Sequence, residues 1–140
     1  MGCDLNNYKQ IDCLGQLYLS KSNDKIVEKI KRSIEIKING YKQQDIKKQR
    51  DITNLITYEE SIIKLLTSKL ICYYCDGYMT LTYSDVRQPD QWTFDRIDND
   101  KCHSNNNVVV CCFKCNMKRG VSNSDDFKFS TNLKIVKIKR

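Results

Sequence analysis

Two Cys-x-x-Cys pairs, Cys72-Tyr-Tyr-Cys75 and Cys112-Phe-Lys-Cys115, carry the most specific chemistry in this sequence. A turn of that spacing sets two sulfurs on one side of a tight loop, about 3.5–4 Å apart, as one edge of a tetrahedron around Zn²⁺. Two such turns complete a four-thiolate set, and a set with no open coordination position is structural rather than catalytic. A redox Cys-x-x-Cys is a single pair inside a βαβ pattern, and neither pair has that pattern around it. The chain holds eight cysteines. Cys111 competes with Cys112, but only Cys112 has the x-x spacing to Cys115. Cys3, Cys13 and Cys102 read most simply as small buried hydrophobes or free thiols. The alternative, a second zinc set of Cys3, Cys13, Cys102 and His103, has spacings that match no zinc pattern.

A second set of polar residues lies between and beside the pairs. Trp92-Thr-Phe-Asp-Arg-Ile-Asp-Asn99 puts Asp95 at the end of a strand, Asn107 opens the next strand, and Asn116 follows the last zinc cysteine on a helix. A strand-end carboxylate facing a helical amide offers hard oxygen ligands to one Mg²⁺ or Mn²⁺, with waters and a substrate phosphate in the remaining positions. Such an ion polarises a scissile phosphate and neutralises the charge developing on the leaving 3′-oxygen. Taken singly, Asp95, Asn107 and Asn116 read as turn and strand-end caps. Taken together, at these offsets from two Cys-x-x-Cys pairs, they read as a site.

Over residues 70–122 the sequence resembles the HNH endonucleases of the His-Me-finger (ββα-metal) superfamily. The residues that carry the resemblance are Cys72–Cys75, Phe94-Asp-Arg-Ile-Asp-Asn99, His103, Asn107-Val-Val-Val110 and Cys112-x-x-Cys115-Asn116-x-Lys118. The similarity is to the four-cysteine branch, which includes junction-resolving phage enzymes and nucleases encoded by phages and large DNA viruses. It implies that Asp95 and Asn116 bind the catalytic divalent ion and that Asn107 braces the loop. The family's general base is the histidine directly after the strand aspartate, and that position here is Arg96. This Asp-Arg variant is frequent in the family. Arginine stays protonated and cannot accept a proton from an attacking water, so Arg96 suits a phosphate clamp or transition-state stabiliser. The chain's single imidazole, His103, is one candidate base, although a lone loop histidine is more often a hydrogen-bonding brace. Asp98, or a metal-bound hydroxide with no protein base, are the others. Lys114, Lys118 and Arg119 read as phosphate-positioning or as solvated helix surface. Trp92 and Phe94 alternate along a strand and read as core.

These residues need elements to hold them. With 140 residues, 40% hydrophobic and 29% charged, the chain is one domain, or one with an appendage, and is not wholly disordered. Ile26, Val27, Ile30 and Ile34 follow helical spacing after a cap at Ser22-Asn23-Asp24, whereas Ile34, Ile36 and Ile38 alternate up to Asn39-Gly40 and suit a short strand. Thr57-Tyr-Glu-Glu60 is a capping box opening a helix near 58–70 that feeds into Cys72. Met79–Tyr83 and Trp92–Ile97 read as strands, 98–107 as loop, Val108–Val110 as a short strand, and Phe113–Lys118 as a helix ended at Gly120. The expected fold is α+β: a mainly helical basic region over 1–70, a zinc-held ββα (HNH-type) unit over 71–122, and a basic tail over 123–140.

The net charge is +7, with ten Lys/Arg against four Asp/Glu in residues 21–50 and four cations and no acid in 134–140. That excess suits sequence-independent affinity for DNA through counterion release, and the charge alone does not separate DNA from RNA. No apolar run reaches the length of a membrane span, and polar residues interrupt the first thirty where a signal peptide would be apolar. Met1-Gly2-Cys3 lacks the Ser or Thr that myristoylation prefers at position 6. The expectation is an intracellular, metal-dependent DNA endonuclease with structural zinc, its oligomeric state open to a homodimer. The alternatives are an inactive nucleic-acid-binding zinc module and a structural zinc protein of a nucleoprotein assembly.

Overall fold

The computed structural model describes residues 6–20 and 24–138, with side chains as far as residue 133. Cys3, the caps Ser22 and Asn23, and the side chains of 134–140 lie outside the described residues. The chain is mixed α and β, with a helical N-terminal region. Helices α1 (Asn7–Leu19), α2 (Lys25–Lys47) and α3 (Tyr58–Ser68) precede strand β1 (Trp92–Arg96). A 3₁₀ turn at Asn105–Asn107, strand β2 (Val108–Cys112) and helices α4 (Phe113–Arg119) and α5 (Ser124–Ile138) follow.

Local chemistry explains most boundaries. Asn6, Asp24 and Thr57 accept main-chain N–H groups at the starts of α1, α2 and α3, satisfying donors that have no intrahelical partner. At α3 the capping box is complete, with Glu60 returning a bond to the Thr57 main chain. Helix α4 ends at Gly120, whose φ of 55° suits glycine. β1 and β2 form a two-stranded antiparallel ladder that sets Asp95 opposite Val109 and Trp92 opposite Cys112.

One apolar cluster joins all of this. Leu14 of α1, Ile30 and Ile34 of α2, and Leu65 of α3 are buried together with Leu70, Tyr74, Trp92, Phe94 and Val108. Three stretches differ from the sequence reading. α2 runs unbroken through Asn39-Gly40, because Val27, Ile30 and Ile34 bury one helical stripe while Ile36 is left exposed. Residues 79–83 form no strand. Their main-chain groups are shared out: buried Gln10 of α1 accepts from the Leu81 N–H at 2.6 Å and donates to the Met79 carbonyl, the Met79 N–H donates to the Leu70 carbonyl, and a single bridge joins Thr80 to Gln91. The stretch expected as a basic tail carries helix α5, whose Phe127 packs edge-on against Tyr74. No described helix is long and apolar enough to cross a membrane.

Candidate metal centre and adjoining cleft

Helix α3 ends with Lys69 and Leu70 in the left-handed region, and this reversal delivers the chain into the first cysteine turn. The second turn forms where β2 gives way to α4. The Sγ atoms of Cys72, Cys75, Cys112 and Cys115 all lie within 4.8 Å of one another, and Cys75 and Cys112 are 4.0 Å apart. A tetrahedron of Zn–S bonds has edges of about 3.7 Å, so modest inward movement closes the set on an ion. The donor chemistry fits as well. The N–H groups of Tyr74 and Cys112 point at Cys72 Sγ, and that of Cys115 points at Cys112 Sγ. Thiol hydrogen bonds from Cys112 and Cys115 hold Cys72 below the usual thiol value. Donors turned toward Cys72 Sγ favour its thiolate form, the form in which a four-cysteine site binds a structural metal such as zinc.

Cys111 is fully buried but stands outside this set, because neighbouring strand residues face opposite ways and its sulfur lies 3.4 Å from Thr93 Oγ1. Burial raises the thiols of Cys13, Cys102 and Cys111, so these remain neutral buried groups. Among the described residues no second gathering of this kind occurs, so Cys13, Cys102 and His103 do not form one.

Beside the cysteines lies a cleft of about 350 Å³, and Asp95, Arg96, His103 and Asn116 all line it. Asp95 is buried on β1, and both its hydrogen bonds end on Oδ2: Tyr74 OH donates at 2.6 Å and Arg119 Nη1 at 2.9 Å. That leaves Oδ1 for a ligand. Tyr74 belongs to the first cysteine turn, so the turn itself orients Asp95. On α4, Asn116 Nδ2 donates to Thr93 Oγ1 at 3.1 Å and reaches the Phe94 carbonyl, leaving its Oδ1 uncommitted. Arg96 Nη1 donates to the carbonyls of Asn99 and Lys101, and burial together with Arg50 lowers its affinity for its proton.

The remaining candidates lie elsewhere. Asn107 is buried and ties the loop together, with Nδ2 donating to the Asp98 and Cys102 carbonyls and Oδ1 accepting from the Asp98 N–H. Asp98 pairs with Lys101 at 3.9 Å, outside the cleft. Lys114 and Lys118 are exposed on a face of α4 that does not line it. Arg119, grouped with them by sequence, is 2% exposed. Its guanidinium is spent on Asp95, Asn99 and the carbonyls of Arg96, Ile97 and Ser122. It braces the site and has no donor left for a phosphate.

Sequence reasoning missed the opposite wall. Lys37, Gly40, Tyr41 and Gln44 of α2 line the cleft. Lys37 donates to Gln91 at 2.7 Å and lies over the rings of Tyr83 and Trp92, and burial lowers it to about 8. Their spacing marks one helical face, visible only if the helix continues through Asn39-Gly40. No family model, curated protein or solved structure matches this chain.

Proposed function

We propose that this protein is a metal-dependent endonuclease that hydrolyses DNA phosphodiester bonds, with its ββα unit of HNH type held by zinc on Cys72, Cys75, Cys112 and Cys115. The observation that carries the reading is the convergence of Asp95, Asn116, Arg96 and His103 on one cleft beside the four cysteines. Asp95 Oδ1 and Asn116 Oδ1 would hold a Mg²⁺ or Mn²⁺ ion, two hard oxygens with room for water and a phosphate. Such an ion, when bound, supplies Lewis acidity toward the phosphate and its leaving oxygen.

The chain's own residues supply the rest. Arg119 and Tyr74 fix the Asp95 carboxylate in one orientation, and Thr93 does the same for the Asn116 amide. Arg96, anchored through Nη1, presents the remainder of its guanidinium to an anionic substrate in the cleft. His103 is the proton acceptor on the cleft wall. Lys25, Lys29, Lys31 and Arg32, with Glu28 and Glu35 between and beside them, line a shallow groove on α2 whose excess of positive charge would add salt-sensitive, sequence-independent affinity for DNA.

The test is cleavage of plasmid and branched DNA with Mg²⁺ or Mn²⁺ by zinc-loaded protein, wild type against Asp95→Asn and Asn116→Ala. Asn is the informative replacement at 95. Asp95→Ala would leave buried Arg119 and Tyr74 with no acceptor at all at this position, at a cost of about 3–5 kcal/mol, and confuse lost folding with lost catalysis. Asn keeps an acceptor for Tyr74 and Arg119 and removes the charge facing the cleft. We expect wild-type cleavage and its loss in both variants. Salt-sensitive DNA binding without cleavage in either metal would leave a binding module, and neither binding nor cleavage would leave a structural zinc protein.

A further inference from the structure

A buried carboxylate near the end of α2 has no part in the scheme above. Asp45 is fully buried, and its Oδ2 lies 2.9 Å from both the main-chain nitrogen and the ring Nδ1 of His103. Its Oδ1 accepts from Arg50 Nη1 at 3.0 Å. One helical turn earlier, Tyr41 stacks on the imidazole with centroids 4.4 Å apart and planes at 22°. The Tyr41 hydroxyl in turn accepts from the Phe94 N–H of β1 at 3.0 Å. The ring is therefore fixed in position, plane and rotation.

An ionised carboxylate only accepts hydrogen bonds, so the proton of the neutral imidazole must sit on Nδ1. Nε2 is then the bare nitrogen. It makes no hydrogen bond among the described residues, and the imidazole lines the same cleft as Asp95 and Asn116. We infer that Asp45 is a positioning residue that holds His103 as the Nδ1–H tautomer, so that Nε2 is presented to the cleft as the proton acceptor. Arg50 locks the carboxylate and Tyr41 the ring.

This inference rests on the endonuclease reading for the identity of the proton donor, a water in the cleft. As that water's oxygen bonds to phosphorus and the bond from phosphorus to the 3′-oxygen breaks, one water proton passes to Nε2. The imidazolium is balanced by Asp45 and later returns the proton to solvent or to the 3′-oxygen. The surroundings keep the base free before the step. Burial lowers the His103 pKa, and Arg96 from β1 and Arg50 beyond α2 lower it further, against the pull of Asp45. Neighbouring Cys102 stays neutral. A base supplied from this loop and tied to the N-terminal helix answers the presence of Arg96 where the resembling family has its histidine.

The chain holds one histidine, so its ¹⁵N imidazole signals are assigned without ambiguity. In zinc-loaded wild-type protein at neutral pH we expect a protonated Nδ1 and a bare Nε2. The reverse tautomer, or a mixture of the two, would overturn the inference with no substrate involved. Should the wild type cleave no DNA, the endonuclease reading fails while the tautomer still decides the role of Asp45. Given cleavage, His103→Gln should lose on the order of 10²–10⁴-fold in kcat with KM little changed. Asp45→Asn should lose a large share of the same factor and shift the acidic limb of the pH–rate profile, and the double variant should lose no more than His103→Gln alone. An Asp45→Asn protein that is less stable but keeps the wild-type kcat and pH profile would reduce the pair to a brace.

Discussion

At the scale of single residues, two buried pairs hold the cleft, and they do so differently. Asp95 and Arg119 are 2.9 Å apart, and Arg119 is further fixed by main-chain carbonyls, so this pair sets geometry. His103 and Asp45 form the pair that links protonation to stability. Burial, then Arg96 and Arg50, hold His103 below its ordinary 6.5, only partly offset by Asp45. The unfolded chain therefore takes up this proton at a higher pH than the native protein. Stability from this source is fully present above about pH 6.5 and is lost as pH falls from there to the native pKa. Asp45 acts in the same sense in a more acidic window. Burial raises it, the bonds from His103 and Arg50 outweigh that, and its contribution is lost as pH falls below 3.8 through its lower native value. Urea midpoints measured from pH 8 to pH 5 should fall toward acid, and the fall should be smaller in His103→Gln. A midpoint that rises on acidification would contradict the burial argument.

At the scale of elements, the unbroken run of α2 decides what the cleft is. Lys37, Tyr41, Gln44 and Asp45 fall on one face only because the helix does not stop at Asn39-Gly40. Gly40 is exposed, and an added Cβ would meet nothing within 4 Å. A glycine inside a helix costs about 0.5–1 kcal/mol relative to alanine. Gly40→Ala should therefore raise the thermal midpoint by about 2–4 °C. Differential scanning calorimetry would read this directly, and a lowered midpoint would mean that the chain turns at Gly40 instead. Elements also explain why the Tyr-Tyr between the first two cysteines matters. Tyr74 reaches Asp95, while Tyr73 lies under the Lys128 ammonium at 3.6 Å, so α5 closes over the turn that orients the carboxylate.

Across the whole molecule, the buried cluster cysteines Cys72, Cys112 and Cys115 belong to the same apolar core as Leu14, Ile34 and Leu65 of the three N-terminal helices. A domain of this size has a net stability of about 5–15 kcal/mol, comparable to what a structural metal contributes. Chelating the metal should therefore abolish a single cooperative transition and reduce the helical circular dichroism of α1–α3 along with the cysteine turns. Helices that survive chelation unchanged would form an independent unit. The sequence alone singled out the four clustered cysteines, the α3 capping box, the β1 strand and the α4 helix, because each is marked by a spacing or alternation legible within a few residues. It also singled out Asp95, His103 and Asn116 as chemically unusual. Tertiary structure decided the rest. Whether Arg119 meets solvent or Asp95, whether residues 79–83 pair as a strand or bond to Gln10, and which carboxylate faces His103 all depend on groups more than twenty residues apart. No local spacing encodes such pairings; they follow from burial, which leaves a desolvated charge or amide stable only where the fold brings it a partner.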